Sequence, residues 1–145
     1  MTRKQCNRKR IAPLPPRGMR PMLDAGQRRD LGLAHMVNLD TISRGEASEA
    51  TLWDVVGGVL TWSYVAMRLQ QGEAEMDAQL ALNTRLVDHY RETGRIEFVG
   101  RDYELAKTGT VVMDLLAEVV DRPTAIAAAE WSEKRIERMS EGAHV

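Results

Sequence analysis

One stretch of the chain decides the fold: residues 48–71, which read SEATLWDVVGGVLTWSYVAMRLQQ. On a helix its apolar side chains cover two adjoining faces, and only a narrow polar strip remains, through Asp54, Thr61 and Arg68. A helix that is apolar most of the way round must be covered by neighbouring elements. We therefore predict that this is the central helix of a helical domain. The apolar positions are Leu52, Val55, Val59, Trp62, Ala66 and Leu69 on one face, and Trp53, Val56, Leu60, Tyr64 and Met67 on the other.

Two adjacent glycines, Gly57 and Gly58, lie inside this predicted helix. Together they cost about 2 kcal/mol of helix stability relative to alanine, so their presence needs a structural reason. That reason is either a kink or a second helix that crosses at close range. We expect the close crossing.

The neighbouring segments carry their own start and stop signals. Asp24 and Gln27 form a capping-box pattern at the start of a first helix, and Gly45 ends it before Ser48 caps the central helix. A third helix follows the glycine at 72, and we expect it to form an antiparallel hairpin with the central one, because a single helix of the combined length is unusual in a small domain. The apolar stripe of the first helix is Leu31, His35, Leu39 and Ile42.

Two further helices are predicted after residue 101. Asp102 can cap the fourth helix, but the weak helix formers at 108–110, TGT, predict a loop over its first turn and a half. Pro123 marks the boundary before the fifth helix. The expected inward positions are Leu105, Val112, Met113, Leu115, Leu116, Val119 and Val120 on the fourth helix, and Ile126, Ala129, Ile136 and Met139 on the fifth.

These elements predict an all-α protein, a single-domain bundle of about five helices around the central apolar helix, over residues 23–145. A chain of 145 residues is long enough to bury a core without disulfides or metals. Residues 1–22 contain four of the five prolines, and this composition predicts an extended arm.

The net charge of −1 conceals a basic arm on an acidic body. Residues 1–22 carry seven basic residues and no acidic one, so the other 13 basic and all 21 acidic residues give the body a net charge of −8. Such an arm can bind nucleic acid, bind an acidic protein surface, or fold back on its own body. Its cations, the candidate partner-binding or nucleic-acid-binding residues, are Arg3, Lys4, Arg8, Lys9, Arg10, Arg17 and Arg20.

No catalytic or metal-binding pattern stands out. His89 and Glu92 would share a helix face, but no second cluster of His or Cys completes a metal shell. Cys6 is the only cysteine, so no disulfide can form within the chain, and this favours a reducing compartment. Because no partnered base accompanies Cys6, we interpret it as an incidental thiol and not as a nucleophile. We therefore expect no catalytic residue, no cofactor and no metal, and hence no enzyme. Because no apolar run is long enough to span a bilayer, we expect a cytoplasmic protein without a membrane partner.

Two features leave a homo-oligomer open. Asn83 lies on the apolar stripe of the third helix, where a buried Asn can fix the register or the oligomeric state; the alternative is an Asn at the edge of the stripe. Residues 95–100, RIEFVG, are predicted to be an extended connector whose apolar side chains plug the bundle, with pairing to a second copy of the chain as the alternative.

Some short patterns in the chain resemble a known group of proteins. They are Arg3-Lys4 with Asn7-Arg8-Lys9, Gly45 before a helix that carries Trp53, and Thr93-Gly94-Arg95 after a helix. The group comprises short, helical, uncharacterised proteins encoded by bacteriophages and prophages of proteobacteria; the proline-rich segment 11–16 departs from its pattern. Because no activity is assigned to the group, the resemblance implies no functional residue. It implies a phage accessory gene, and small phage proteins of this kind often bind and block host machinery, including CRISPR effectors.

We therefore predict a non-enzymatic, phage-type accessory protein that binds and modulates a host or phage protein complex in the host cytoplasm, for example as an anti-defence (anti-CRISPR-like) inhibitor. The acidic body would imitate a phosphate backbone, and the arm would act as a clamp. One alternative is a nucleic-acid-binding regulatory or accessory protein that uses the arm. Another is a virion assembly protein whose arm laces into a neighbouring subunit.

Overall fold

The fold is seen in a computed structural model, which describes the backbone of residues 21–143 and the side chains of residues 21–141. Over that range the chain forms five α-helices and no β-strand, which confirms the predicted all-α bundle. The helices are α1 (Ala25–Ser43), α2 (Glu49–Leu69), α3 (Glu73–Thr93), α4 (Asp102–Val119) and α5 (Arg122–Ala143). Of the predicted arm, only Pro21 and Met22 fall within the described residues.

Helix α2 packs against all four of the other helices, as predicted for the central apolar segment. Its first half shares a cluster with Leu39 of α1 and Leu86 of α3, and its second half shares another with Met76 of α3 and Leu116 of α4. Each large apolar side chain buried in this way contributes about 1.5–3 kcal/mol to the hydrophobic term. The buried residues of α2 are Leu52, Trp53, Val55, Val56, Val59, Leu60, Trp62, Val65 and Ala66. Met67, expected on an apolar face, is exposed.

Side-chain caps fix where α1 and α2 begin. The Asp24 carboxylate accepts from the backbone N–H of Gln27 at 2.8 Å, and the backbone N–H of Asp24 donates to the Gln27 side chain at 3.0 Å. Ser48 and Thr51 form the same reciprocal pair at the start of α2. Both predicted helix starts are therefore confirmed, because each cap satisfies backbone N–H groups that the first turn leaves without partners.

The glycine pair of α2 lies where two helices cross it. A Cβ atom at Gly57 would lie 3.5 Å from Ile136 Cγ1 of α5, and one at Gly58 would lie 3.2 Å from the His35 Nδ1 of α1. The predicted close crossing is confirmed at Gly58, where an added Cβ would crowd the His35 ring, whereas at Gly57 the contact with α5 is an ordinary one. Next to the crossing, Thr61 donates a hydrogen bond to Ser132 of α5 at 2.8 Å, so a polar contact accompanies the close approach.

Helix α3 returns along α2 after a tight turn, which confirms the predicted hairpin. Gln70 and Gly72 both have positive φ, 55° and 68°, and this left-handed backbone separates the two helices. The direction is antiparallel, since Met76 at the start of α3 clusters with the end of α2, while Asn83 donates to the Val56 carbonyl at 3.4 Å further back. Asn83 is therefore buried between the two helices and does not lie at an edge.

The connector at residues 95–100 lies against the bundle without strand pairing in the described chain. Ile96 and Phe98 are half-buried against the core, and the Phe98 ring lies 5.7 Å from that of Tyr103. The predicted plug is confirmed. His89 of α3 contacts Glu97 of this connector at 2.9 Å, so its partner is not Glu92.

Two predictions about the start of α4 are wrong. The TGT sequence at 108–110 does not loosen the helix, which is continuous from Asp102, because Gly109 is buried where the Gln79 side chain of α3 crosses it. Asp102 is not the cap: the N-cap residue is Arg101, without a side-chain cap hydrogen bond, and Asp102 accepts two hydrogen bonds from Arg85 at 2.9 and 3.0 Å.

The inward faces of α4 and α5 were also predicted partly wrongly. Leu115 and Ile126 are exposed, and so is Ala129. The reason is that small or polar residues of α4 and α5 make many of the contacts with the core. A sequence search for stripes of large apolar residues does not detect such positions. The buried positions are Ala106, Gly109, Met113, Leu116 and Ala117 on α4, and Thr124, Ala128 and Ser132 on α5.

The Gly109 contact generates a stability prediction. Gly109→Ala is expected to lower the free energy of unfolding by about 1–3 kcal/mol, because the new methyl would overlap the Gln79 amide. That amide donates to the Leu105 carbonyl at 2.8 Å and cannot move without losing the bond. Urea unfolding of Gly109→Ala in the wild-type and Gln79→Ala backgrounds measures the coupling. In the Gln79→Ala background the same substitution should instead raise the free energy of unfolding by up to about 1 kcal/mol, because alanine has the higher helix propensity. An equal cost in the two backgrounds would contradict the contact between Gly109 and Gln79.

Candidate functional site

A groove of about 500 Å³ lies between α1 and α5, and α2 forms its floor. We call it the α1–α5 groove. Two apolar side chains face solvent at its lips, Leu31 of α1 at 46 % exposure and Ile126 of α5 at 53 %. The floor consists of Gly58, Thr61, Trp62 and Val65. The groove is therefore mostly apolar and open, with polar side chains such as Gln27, Asn38 and Arg122 in its walls.

The groove has two distinct ends. At the first, Leu23, Val65 and Ala125 belong to one apolar cluster. At the other, Asn38 and Asp54 complete the lining. We call these the root end and the distal end. Because α1 and α5 both start at the root end and α2 finishes there, α1 and α5 run in the same direction across an α2 that runs the opposite way.

His35 is the one ionisable side chain of the groove whose pKa is strongly shifted among the described residues. Its ring lies against Gly58, and burial lowers the pKa of the imidazole from 6.5 to about 4. The ring is therefore neutral near pH 7, because the cationic form would lose its hydration. A neutral imidazole in an apolar wall offers one donor and one acceptor to an occupant of the groove.

Acidic side chains continue from the distal end along the surface. Asp54 lines both the groove and an adjoining cleft, and that cleft also contains Glu133 and Glu137 of α5. The Asp54 side chain is exposed. The distal end therefore presents negative charge to any segment that lies along the groove.

A second surface consists of exposed apolar side chains on α1 and α4, which we call the α1–α4 face. The two helices are antiparallel neighbours: Ala25 shares a cleft with Glu118 near the end of α4, and Leu39 clusters with Ala106 near its start. The side chains of the face are 53–59 % exposed and are Leu33, Met36, Val37, Val111 and Leu115. A patch of this kind on a small domain commonly marks a contact with another macromolecule.

The edges of the α1–α4 face are charged. Asp114 and Glu118 lie in the cleft between the two helices, together with Arg28 and Arg29. Asp114 approaches α1 closely, since a Cβ atom at Gly32 would lie 3.1 Å from its carboxylate. The face is thus an apolar surface with both charges at its rim, like the core and rim of ordinary protein interfaces.

The sequence prediction placed the functional residues elsewhere. All seven candidate cations lie outside the described residues: Arg3, Lys4, Arg8, Lys9, Arg10, Arg17 and Arg20. What the structure does show is where the arm is attached. The backbone N–H of Arg122 donates to the Pro21 carbonyl at 2.6 Å, and Met22 forms an isolated β-bridge with Asp121. The arm therefore begins at the root end of the α1–α5 groove.

Neither surface was predicted from the sequence, although the sequence does contain one signal for the α1–α4 face. Leu33, Met36 and Val37 form a second apolar face on α1 besides its predicted stripe, and a helix with two apolar faces either is buried or binds something. The groove gave no such signal, since its walls come from helices about 90 residues apart in the chain.

The burial of His35 generates a pH prediction. The unfolded chain takes up a proton on this imidazole near pH 6.5, whereas the folded chain does so only near pH 4. Stability is therefore retained above pH 6.5 and falls by about 2–3 kcal/mol between pH 6.5 and pH 4. Urea unfolding across this range should show the fall in wild type and in His89→Gln, and a smaller one in His35→Gln. An identical pH dependence in His35→Gln would mean that the ring is accessible to water.

Within residues 21–143, the structure brings together no group of three metal-ligating side chains and contains no helix that is both long enough and apolar enough to cross a bilayer. No protein-family model matches the chain, and neither does any curated protein or solved structure.

Proposed function

We propose that the protein is a non-enzymatic accessory protein of phage type, which binds a host or phage protein complex through the α1–α4 face. The observation that supports this most is that two adjacent helices carry five half-exposed apolar side chains, three on α1 and two on α4. Burying them against a partner removes apolar area from water, at about 25 cal/mol per Å² of that area.

The surroundings of the face favour a particular kind of partner surface. Its cleft carries Asp114 and Glu118 together with Arg28 and Arg29, so the rim has both charges, while residues 23–145 as a whole are acidic. A partner that presents an apolar surface with charges of both signs at its border fits this rim, and the net charge of the body favours a basic partner such as a nucleic-acid-handling or defence complex. The arm, with its seven cations from Arg3 to Arg20, would then be a second contact to an acidic part of the same complex.

The test is a pair of matched substitutions. Leu33→Lys combined with Val111→Lys should leave folding intact, since both side chains face solvent, and should weaken partner binding at least tenfold. Met67→Lys, at a comparably exposed apolar position on α2, is the control and should bind like wild type. A partner is first isolated from phage-infected cells, and the affinities of the purified proteins are then measured by calorimetry.

Two results would contradict the proposal. In one, the double variant and the control bind the partner equally well, so that the α1–α4 face is not the interface. In the other, the purified chain binds DNA or RNA with an affinity that falls steeply between low and physiological salt, and alanines at the seven arm cations abolish it. That second result would favour the alternative of a nucleic-acid-binding accessory protein.

A further inference from the structure

We propose that the α1–α5 groove, together with the acidic cleft that continues from its distal end, is the docking site for a basic amphipathic helix of a partner protein. Such a helix lays apolar side chains in the groove and carries Lys or Arg at the end that lies on the cleft. The proposal goes beyond the proposed function and does not depend on it, because it concerns a surface other than the α1–α4 face.

The groove and the acidic cleft form one continuous surface along α5. They share Asp54 and Thr61 of α2 and Ala129 of α5. The groove has a volume of about 500 Å³ and the cleft one of about 420 Å³. From Arg122 at the root end to Glu137 in the cleft, α5 rises over a length of about 22 Å. A partner helix of about four turns matches a surface of this length.

Charge is divided unequally along this surface. Three carboxylates line the cleft, those of Asp54, Glu133 and Glu137, and none of its described lining residues is basic. Within residues 21–141, none of these three carboxylates forms an ion pair. The cation that lines the groove, Arg122, lies at the root end, where it donates to the Gln27 side chain at 3.4 Å. A segment with cations at one end is therefore favoured in a single orientation, with its basic end on the cleft.

The groove half of the surface suits apolar side chains. Trp62 lies on its floor, and Leu31 and Ile126 are half-exposed at its lips. Ala125 and Ala129 of α5 also line it, and such small side chains allow a second helix to approach closely. Docking therefore removes the two lip side chains from water, which favours binding in proportion to the apolar area buried.

Backbone chemistry favours a helix over an extended segment as the occupant. The floor and both walls of the groove are the helices α1, α2 and α5, whose backbone groups bond within each helix. An extended segment would find no backbone partner there, and its own N–H and C=O groups would lose water without gaining hydrogen bonds. A helix satisfies its own backbone, and docking of an amphipathic helix in an apolar groove is a common mode of recognition.

Calorimetry on the full-length protein with two designed peptides tests the proposal. The probe is a helical peptide of about 16 residues built from Ala, Leu and Lys, with Leu on one face of its first half and Lys on the same face of its last two turns. The control peptide carries Glu in place of Lys. The basic peptide should bind at least tenfold more tightly, and its affinity should fall as salt rises. Equal affinities, or no binding of the basic peptide, would overturn the proposal.

A pair of substitutions with equal exposure tests the groove. Ile126→Lys at the lip and Leu33→Lys on the α1–α4 face both replace an apolar side chain that is 53 % exposed, so neither should disturb the fold. The first should weaken binding of the basic peptide at least tenfold, whereas the second should leave it unchanged. If the two variants bind the peptide equally well, the groove is not the site.

A second pair tests the acidic cleft. Glu133→Gln combined with Glu137→Gln should weaken binding of the basic peptide about fivefold and reduce its salt dependence, as expected for the loss of two solvent-exposed ion pairs. Asp88→Asn combined with Glu92→Gln removes the same charge, at the same spacing, from exposed positions on α3 and should bind like wild type. An equal loss in both double variants would indicate general attraction to an acidic body, which contradicts docking at the cleft.

Two further results would assign the groove to another occupant and so overturn the proposal. In one, alanines at the seven arm cations, from Arg3 to Arg20, make the full-length protein bind the basic peptide more tightly, which means that the arm competes for this surface. In the other, the protein alone self-associates in sedimentation, and Ile126→Lys abolishes this whereas Leu33→Lys does not, which means that a second copy occupies the groove.

Discussion

The close approach of α1 to α2 at Gly58 is the constraint on which the rest of the structure depends. The His35 ring occupies the space where a side chain at position 58 would begin, with only 3.2 Å between its Nδ1 and an added Cβ. One residue earlier, α5 approaches the same helix over Gly57. The space at Gly57 would hold a Cβ in ordinary contact with α5, so the tight crossing is that of α1 over Gly58. The cost of the two glycines in helix stability is offset by the apolar surface that the crossings bury.

This arrangement explains both the core and the groove. Helices α1 and α5 pack side by side on α2, and the space between them is the α1–α5 groove, with Trp62 in its floor. Burial against Gly58 also keeps His35 neutral in the groove wall, since it lowers the pKa of the imidazole to about 4. Helix α4 completes the bundle from the opposite side of α1, and this leaves the outer surfaces of α1 and α4 as the α1–α4 face.

Much of the fold could be predicted from the sequence because the strongest signals are local. The caps at Asp24 and Ser48, the turn at Gly72 and the all-round apolar pattern of α2 each act within a few residues. The errors at α4 and α5 arose where small or polar residues make the contacts, as Gly109 does with Gln79, since such residues give no periodic apolar signal. The groove could not be predicted, because it exists only once α1 and α5 are placed on α2. The arm was recognised by its charge, whereas the contact of Pro21 with Arg122 could not be predicted, because it joins residues about 100 positions apart in the chain.

The most direct test of this account is a double-mutant cycle between Gly58 and His35, measured as the free energy of unfolding in urea. A β-branched side chain at position 58 cannot fit beside the His35 ring, so Gly58→Val is expected to cost about 2–4 kcal/mol in the wild-type background. Most of that cost should disappear in the His35→Ala background, since the ring is then absent and the two substitutions are coupled. If Gly58→Val were neutral, or equally costly in both backgrounds, α1 would not cross α2 at this point and the groove would have no basis.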